Sequence, residues 1–568
     1  MSFMAGLWLF AGRRFGEQKG RQGKAILQEG WISGWNLCEK GAVKGLMQRT
    51  PGWALGLLTA GVTLVVFLPT LRFPFFPFWD DDIHVHANPH LADLTWAGLG
   101  AFWAGPYQQL YVPLTYSVWA GLAVLSRWAD GLPLSSGALN AGWFHGANVA
   151  AHTASALLAF VLLRRITTRF APGASVGRIS AGSALGAAFF ALHPLQVEPV
   201  AWISGLRDVL GGCFGLASLV VLFGAERPTR TRVLAATLLY VASLAAKPAG
   251  VALPLVAGIL AVLPFRWKAR QMVAVLGPWL LIGLLWVFLT SRAQWAAELA
   301  VGLVPLGMRP LVAGDALGFY LIKTLVPVGL AADYGRSPDA ALAAGWLWWM
   351  WLPPAALGGV LAAVRPLRVY LVPFLVFSAA LLPTLGLMPF NFQVVSTVAD
   401  RYAYFALFGP ALALAMIVAR TRRTWVLALA GAWVLVLLAL TVQRLPVWSE
   451  DLKLFAATLA TNPGSWKAKH NYASALDDRG RTAEAAERMR EVIARRPDSA
   501  EAYNDLGVME WKLGRRPEAV ALMRRSVMLR ATPGSARNLA VMEEELGHAA
   551  GRNEALQILQ PWPKDGGN

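Results

Sequence analysis

An uncharged stretch at residues 53–70, WALGLLTAGVTLVVFLPT, decides the fold class. A helix of about 18 or more such residues is long enough to cross the hydrocarbon core of a bilayer. The stretch follows a tail, residues 1–50, that contains eight Lys or Arg and three Glu. Because basic segments stay on the cytoplasmic side, we expect this tail to be cytoplasmic and to be retained.

The composition extends this prediction to the whole chain. Of its 568 residues, 56% are hydrophobic and 15% are charged, and the mean hydropathy is +0.47. A soluble globular chain carries about 25% charged residues, so this balance excludes a water-soluble enzyme and a disordered chain. The two cysteines, Cys38 and Cys213, lie far apart and exclude a disulfide framework and a Cys-based metal site.

Ten further apolar runs bring the predicted number of membrane spans to eleven: 142–163, 179–197, 208–224, 232–246, 249–264, 271–290, 344–364, 369–387, 402–419 and 425–443. Two weaker runs, 111–126 and 310–330, are predicted to lie on the outer face, because counting either as a span places basic clusters outside. The inside segments then hold 23 Lys or Arg, against 9 outside before residue 444. This asymmetry explains much of the net charge of +18 without nucleic acid.

A repeat with a period of 34 residues follows Arg444. Four pairs of small or apolar residues are separated by this interval: Ala473 and Gly507, Gly480 and Gly514, Ala485 and Ala519, and Met489 and Met523. This is the tetratricopeptide pattern, in which two antiparallel helices pack closely. A third, degenerate unit around residues 539–556 is predicted to cap the stack. The predicted organisation is therefore all-α: a basic tail at 1–50, a membrane bundle at 51–443 with a first outer loop at 71–141, and an outer repeat domain at 444–568.

The first outer loop contains the first candidate site, Asp80, Asp81 and Asp82 followed by His84 and His86. Adjacent carboxylates repel each other, so one can keep a raised pKa and serve as a general base, or the group can bind a cation. A solvated acidic loop is the alternative. The two histidines would complete a metal site only on a strand, where residues i and i+2 share a face; no metal ligand is therefore assigned.

Further ionisable groups fall at the same predicted face. They are expensive to bury in a membrane, so they are expected to line a water-filled cavity or to form an ion-pair network that supports the fold. The group consists of His193, Glu198, Arg207, Asp208, Lys247, Lys323, Asp400, Arg401 and Tyr404.

Several of these segments resemble one family. The sequences FWDDDIHVHANP at 78–89, YVPLTYS at 111–117, WFHGANVAAHTASALLAF at 143–160, ALHPLQVEPVAWISGLRDVL at 191–210, KPAGVALP at 247–254, FYLIKTLVPVGLAADY at 319–334 and ADRYAYF at 399–405 resemble bacterial relatives of the transmembrane and tetratricopeptide-repeat O-mannosyltransferases. The resemblance covers about 70–568. Gln196 and Pro199 depart from it, since His and Ser are expected there.

The resemblance implies a glycosyltransferase of the GT-C type that moves a sugar, possibly mannose, from a polyprenyl phosphate to a protein Ser or Thr hydroxyl in the periplasm of a bacterial inner membrane. Asp80 or Asp81 would be the base. Arg207, Arg401, Lys247 and Lys323 would stabilise the phosphate, and the two arginines are favoured because they bind phosphate bidentately. No cofactor beyond the lipid-linked donor is predicted, with a divalent metal as the alternative.

Two rival functions fit the same residues. One is a glycosyltransferase that acts on a lipid or a polysaccharide, with the repeats serving only in assembly. The other is a non-enzymatic membrane scaffold whose repeats recruit partner proteins. A transporter fits less well, because the charged residues collect at one predicted face rather than at the bilayer midplane.

Overall fold

The computed structural model describes residues 52–92, 95–134, 136–298 and 304–559, so the predicted basic tail lies outside the described residues. Within these ranges the chain is helical and contains no β-strand, which agrees with the predicted all-α class. The membrane region supplies fourteen helices of nine or more residues: α1 Gly52–Phe67, α2 Trp96–Ala104, α3 Pro113–Ala129, α4 Ala141–Phe170, α5 Val176–Ala191, α6 Leu206–Leu222, α7 Arg230–Ala246, α8 Leu253–Val262, α9 Ala269–Glu298, α10 Arg309–Leu325, α11 Leu352–Ala363, α12 Leu371–Leu381, α13 Phe408–Arg420 and α14 Thr424–Arg444.

Short helical turns connect these helices. Several of these turns, which are common as connectors between helices, carry candidate site residues. They are Leu68–Arg72, Asp82–His86, Pro89–Ala92, Pro194–Gln196, Val197–Ala201, Ile203–Gly205, Pro248–Ala252, Leu306–Met308, Pro338–Ala343, Trp346–Trp348, Arg365–Tyr370, Leu382–Thr384, Asn391–Val394, Asp400–Ala403 and Leu445–Ser449.

Six helical segments among the described residues are long and apolar enough to cross a membrane: Gly52–Arg72, Ala141–Phe170, Ile203–Leu222, Ala269–Arg292, Arg365–Thr384 and Thr424–Ser449. Three shorter apolar helices accompany them: Val176–Ala191, Pro248–Val262 and Phe408–Arg420. The predicted spans at 232–246 and 344–364 form α7 and α11, which belong to neither group. The described helices are consistent with a membrane protein. Six of the described segments have both the length and the composition of a span, and the count of eleven spans stays a prediction.

Glycines set the closest helix contacts of the bundle. A Cβ on Gly182 of α5 would lie 2.6 Å from the Ala415 carbonyl oxygen of α13, and one on Gly186 would lie 2.5 Å from that of Ala411. Real Cβ atoms do not approach so closely, so only glycine allows α5 and α13 to pack at this distance. Small residues at helix contacts are typical of membrane bundles. There the hydrophobic effect does not favour helix association, and close backbone packing stabilises the contacts instead.

The basic segments of the membrane region meet at one end of the bundle, which we call the basic end. Arg169 pairs with Glu226 at 3.2 Å, and the rings of Phe223 and Phe265 stack. Arg178 donates a hydrogen bond to the Arg422 carbonyl oxygen. The loops around residues 171, 224, 265 and 421 therefore share one end, and the first loop lies at the other, which we call the site end.

The repeat domain consists of three antiparallel helix pairs preceded by α15 (Asp451–Thr461): α16 Trp466–Asp478 with α17 Thr482–Arg495, α18 Ala500–Lys512 with α19 Arg516–Leu529, and α20 Pro533–Glu545 with α21 Ala549–Leu559. A glycine with positive φ ends the first helix of each pair: Gly480, Gly514 and Gly547, at 76°, 78° and 74°. The residues of the 34-residue period are buried between the helices, including Ala485, Met489, Ala519 and Met523. The predicted degenerate third unit thus forms a complete pair.

The repeat domain contacts the site end of the bundle directly. Asn471 of α16 donates a 2.6 Å hydrogen bond to the Phe78 carbonyl oxygen in the first loop, and Ser465 pairs with the buried Asp333. The Trp79 and Phe455 rings pack edge to face. These contacts place the first repeat helix beside the candidate aspartates.

Candidate active site

The structure separates the two candidate aspartates. Asp80 has a side chain that is 50% exposed and a φ of 71°, in the left-handed region that few side chains other than Asp and Asn tolerate. Asp81 is fully buried. One peptide unit therefore turns one carboxylate towards solvent and the next towards the core.

Arg207 contacts the exposed carboxylate. Its guanidinium lies 3.5 Å from Asp80 Oδ2, and its Nε donates to the Ser204 carbonyl oxygen at 2.8 Å, which fixes the side chain. Although desolvation raises the pKa of Asp80, the charges of Arg207 and Arg401 outweigh it and hold that pKa below its usual value. Asp80 is thus an accessible, ionised carboxylate.

Asp81 has the contacts of a structural residue. Its carboxylate accepts hydrogen bonds from the Phe76 amide at 3.0 Å and from the Ser204 amide and hydroxyl at 3.0 and 2.6 Å. Burial raises the pKa of Asp81 to about 7, although these hydrogen bonds oppose the shift. These hydrogen bonds give Asp81 a structural role, because they tie the first loop to the turn at Ile203–Gly205.

The remaining acidic and histidine residues of the loop point in different directions. Asp82 Oδ1 accepts from the Ile83 amide at 2.8 Å and starts the turn Asp82–His86. His84 is buried, and its Nδ1 lies 2.9 Å from the Tyr116 hydroxyl; desolvation lowers its pKa to about 4, so the ring is neutral. His86 is exposed. No group of three His, Cys, Asp or Glu suited to a metal ion occurs among the residues that the structure describes.

Two buried ion pairs lie behind this loop. Glu198, in the turn Val197–Ala201, pairs with Arg401, and Asp208 of α6 pairs with Lys247 at the end of α7. Both carboxylates are almost fully buried, and the cations are 9% and 19% exposed. The Arg401 guanidinium has five N–H donors and the Lys247 ammonium has three. Pairing with one carboxylate therefore leaves unused donors on each cation.

These pairs border a small pocket of about 50 Å³ between α6, α7, α8 and α12. Its polar lining includes Asp208, Ser243, Lys247 and Arg401, and Tyr402 and Tyr404 form an aromatic wall. A Cβ on Gly212 would lie 2.4 Å from the Tyr404 ring, so that wall depends on glycine. The volume accommodates a few water molecules or a group of similar size.

Trp202 connects the pocket to the first loop. The guanidinium carbons of Arg207 and Arg401 lie 5.4 and 5.5 Å from the centre of its ring, both at cation–π distance. Its indole Nε1 donates to the Trp79 carbonyl oxygen at 2.9 Å. One indole therefore separates the exposed Asp80–Arg207 pair from the pocket cations.

Lys323 and Asp400 form a neighbouring group outside the pocket. Lys323 Nζ donates to the carbonyl oxygens of Val328 and Gly329. Asp400 is buried and accepts from the Tyr334 hydroxyl at 2.5 Å, and both its burial and the nearby Glu198 raise its pKa. Of the four predicted phosphate ligands, only Lys247 and Arg401 line the pocket.

Two residues of the predicted set, and one residue that departs from the family pattern, have supporting contacts. His193 caps the turn at Pro194: its Nδ1 accepts from the Leu195 amide, and its Nε2 lies 3.2 Å from the Thr324 carbonyl oxygen. The Tyr404 hydroxyl lies 3.0 Å from His152 Nδ1. Gln196, which departs from the family pattern, donates to the carbonyl oxygens of Phe190 and Tyr404 and so holds the same turn.

Sequence reasoning missed three residues that hold the site together. Ser204 binds Asp81, Asn148 donates to the Trp202 carbonyl oxygen at 2.6 Å, and Asn471 binds the first loop from the repeat domain. Ser204 and Asn148 lie inside the quoted family segments, so the resemblance contained a signal for both. Asn471 falls in a different domain, and nothing in the sequence links it to Phe78.

Residues 470–536 match the tetratricopeptide repeat family. The match covers the two repeats predicted from the 34-residue period and the start of the third helix pair. No curated protein matches the chain.

Proposed function

We propose that the chain is an integral membrane glycosyltransferase of the GT-C type, with eleven spans. It transfers a sugar, mannose by resemblance, from a polyprenyl phosphate to a Ser or Thr hydroxyl of a protein. One observation supports this most: an exposed, ionised carboxylate, Asp80, lies one indole ring away from a pocket that contains two cations, Lys247 and Arg401. A base for the acceptor and a positive site for the leaving phosphate are therefore neighbours.

The chemistry assigns a separate step to each part. Asp80 takes the proton of the acceptor hydroxyl, whose oxygen attacks the anomeric carbon of the sugar. The bond from that carbon to the phosphate oxygen breaks, and negative charge develops on the polyprenyl phosphate. Donors of Lys247 and Arg401 that Asp208 and Glu198 do not use stabilise this charge in a partly desolvated pocket. Arg207 holds Asp80 in its orientation and keeps it ionised.

The pocket is suited to the phosphate rather than to the whole donor. Pockets that bury drug-sized ligands measure about 300 to 1,000 Å³, and this pocket is about 50 Å³. The sugar would therefore lie between the pocket and Asp80, and the polyprenyl chain would follow the apolar bundle surface. The repeats beside the first loop would present the acceptor.

The direct test is transfer of labelled sugar by purified protein with Asp80→Asn. Loss of a general base typically lowers the rate by about 10² to 10⁴, and the exposed position predicts an unchanged melting temperature. Asp82→Asn is the matched control, because Asp82 is the neighbouring carboxylate and should keep most of the activity. Wild-type transfer by Asp80→Asn would remove Asp80 from the mechanism. Label that enters lipid or polysaccharide instead of protein would favour the rival acceptor.

The proposal includes an orientation: the site end and the repeats are periplasmic, and the basic end is cytoplasmic in a bacterial inner membrane. The concentration of Lys and Arg at one end supports it. A periplasm-specific reporter fused after Asn568 should be active, and one fused at Thr421 should be inactive. The opposite result at Asn568 would separate the repeats from the acceptor side.

A membrane scaffold is the second candidate function, and the family match of the repeats favours it, because such repeats often bind proteins. In that case the Asp80–Arg207 pair has no chemical role. Partner binding by the repeats without any sugar transfer, unchanged by Asp80→Asn, would support the scaffold.

A further inference from the structure

A second cavity lies at the basic end, far along the bundle from the candidate active site. It is an open groove of about 670 Å³ between the start of α1 and the end of α4. Trp53, Leu57 and Phe160 belong to its apolar wall, and Arg164 and Arg165 lie at its rim. Trp53 and Leu57 are 62% and 52% exposed, so the groove is open along one side.

The two rim arginines have different contacts. Arg165 Nη1 donates to the Val220 carbonyl oxygen of α6 and is held there. Arg164 is half-buried, and within the described ranges its guanidinium has no hydrogen bond or ion pair. A guanidinium with unused donors beside apolar walls suits a negatively charged ligand that also has an apolar part.

The positive charge of the basic end also favours an anionic ligand. The segments 164–178, 226–232, 266–270, 365–368 and 420–423 contain fifteen Lys or Arg and a single acidic residue, Glu226. The chain's own residues 1–50 carry eight Lys or Arg and three Glu. That tail has the same sign of charge as the groove rim and does not complement it.

We propose that this groove binds an anionic phospholipid, whose phosphate contacts Arg164 and whose acyl chain lies against the wall formed by α1 and α4. A charge-assisted contact to a phosphate diester satisfies the guanidinium. The apolar wall explains why the ligand is a lipid and not a free phosphate, since a free ion leaves that wall unused. The site is independent of the proposed transfer reaction and lies at the other end of the bundle.

Native mass spectrometry of the delipidated full-length protein tests the proposal. Phosphatidylglycerol should bind more tightly than phosphatidylcholine with the same acyl chains. Because one basic residue near an anionic lipid is worth about 1 kcal/mol, Arg164→Gln should weaken phosphatidylglycerol binding about fivefold and leave phosphatidylcholine binding unchanged. Arg423→Gln is the matched control, since it removes the same charge from an exposed position of the basic end outside the groove.

Arg164→Lys keeps the charge and should give an intermediate affinity, which separates loss of a ligand from a general folding defect. Equal phosphatidylglycerol binding by wild type and Arg164→Gln would overturn the proposal, and so would equal effects of Arg164→Gln and Arg423→Gln. Displacement of the lipid by glycerol 3-phosphate would show an anion site without lipid selectivity. Failure of the full-length protein to bind phosphatidylglycerol would assign the groove to another occupant, such as residues 1–51.

Discussion

The site end of the bundle and the repeat domain both contain buried carboxylates, but the cations beside them differ. Glu198 is fully buried and its partner Arg401 is 9% exposed. Glu510 in the repeats is also fully buried, whereas its partners Arg490 and Arg515 are 40% and 52% exposed. In the repeats the cation stays in water, so only one charge is desolvated. At the site end both charges leave water, a costly arrangement that we attribute to the proposed phosphate site.

The largest effect expected from this difference is the loss of one partner at the site end. Glu198→Gln leaves Arg401 buried without its counter-charge and should lower the free energy of unfolding by about 3 to 5 kcal/mol. Denaturant titration of the protein in detergent measures this loss. Glu510→Gln is the matched control, and its loss should be smaller because Arg490 and Arg515 remain solvated. Equal losses would show that the exposure of the cation does not matter here.

The pH dependence of transfer distinguishes Asp80 from Asp81 as the base. A carboxylate base works when ionised, so activity falls as the pH drops through its pKa. The pKa of Asp80 lies below its usual value, and burial raises that of Asp81 to about 7. If Asp80 is the base, transfer at pH 5 should remain near its maximum, whereas a base with the pKa of Asp81 would be about 1% ionised there.

The measurement is the rate of transfer between pH 4 and pH 8, with protein stability followed in parallel. An acid limb centred near pH 7 would assign the reaction to Asp81 and contradict our choice of Asp80. The same profile for Asp82→Asn should coincide with that of the wild type, because Asp82 lies outside the contact with Arg207.

The two regions also differ in how far sequence predicts them. The 34-residue period predicted the packing of Ala485 and Met489, because each repeat has the same local environment. The third pair was underestimated because its helix contacts use other residues, although Gly547 retains the turn glycine. The count of eleven spans in the membrane region stays a prediction, since α7 starts with Arg230 and Arg232 and α11 has only 12 residues, so neither helix has the length and composition of a span by itself.

Within the candidate site, the sequence identified the chemical groups but not their partners. The left-handed backbone conformation of Asp80 decides which of the two aspartates is exposed and which is buried, and the sequence does not reveal it. The pairing of Glu198 with Arg401 joins residues 203 positions apart in sequence. Such contacts follow from tertiary packing, so spacing and composition could predict a common face but not the pairs within it.

The smallest of the expected effects concerns a repeat turn in which no charge takes part. Gly547 has a φ of 74°, and a Cβ there would meet no atom within 4 Å, so Gly547→Ala tests the backbone alone. An L-residue in the left-handed region costs about 1 to 2 kcal/mol. Since the third pair is terminal in the stack, the loss should appear as faster hydrogen exchange in α20 and α21, with little change in the bundle. Gly534→Ala, at the start of α20 where φ is not positive, should leave exchange unchanged. Equal exchange in the two variants would mean that the third pair does not depend on its turn glycine, which is equivalent to Gly480 and Gly514. The repeats would then tolerate backbone strain, whereas the bundle is expected to tolerate neither an unpaired charge nor a larger residue at its close helix contacts.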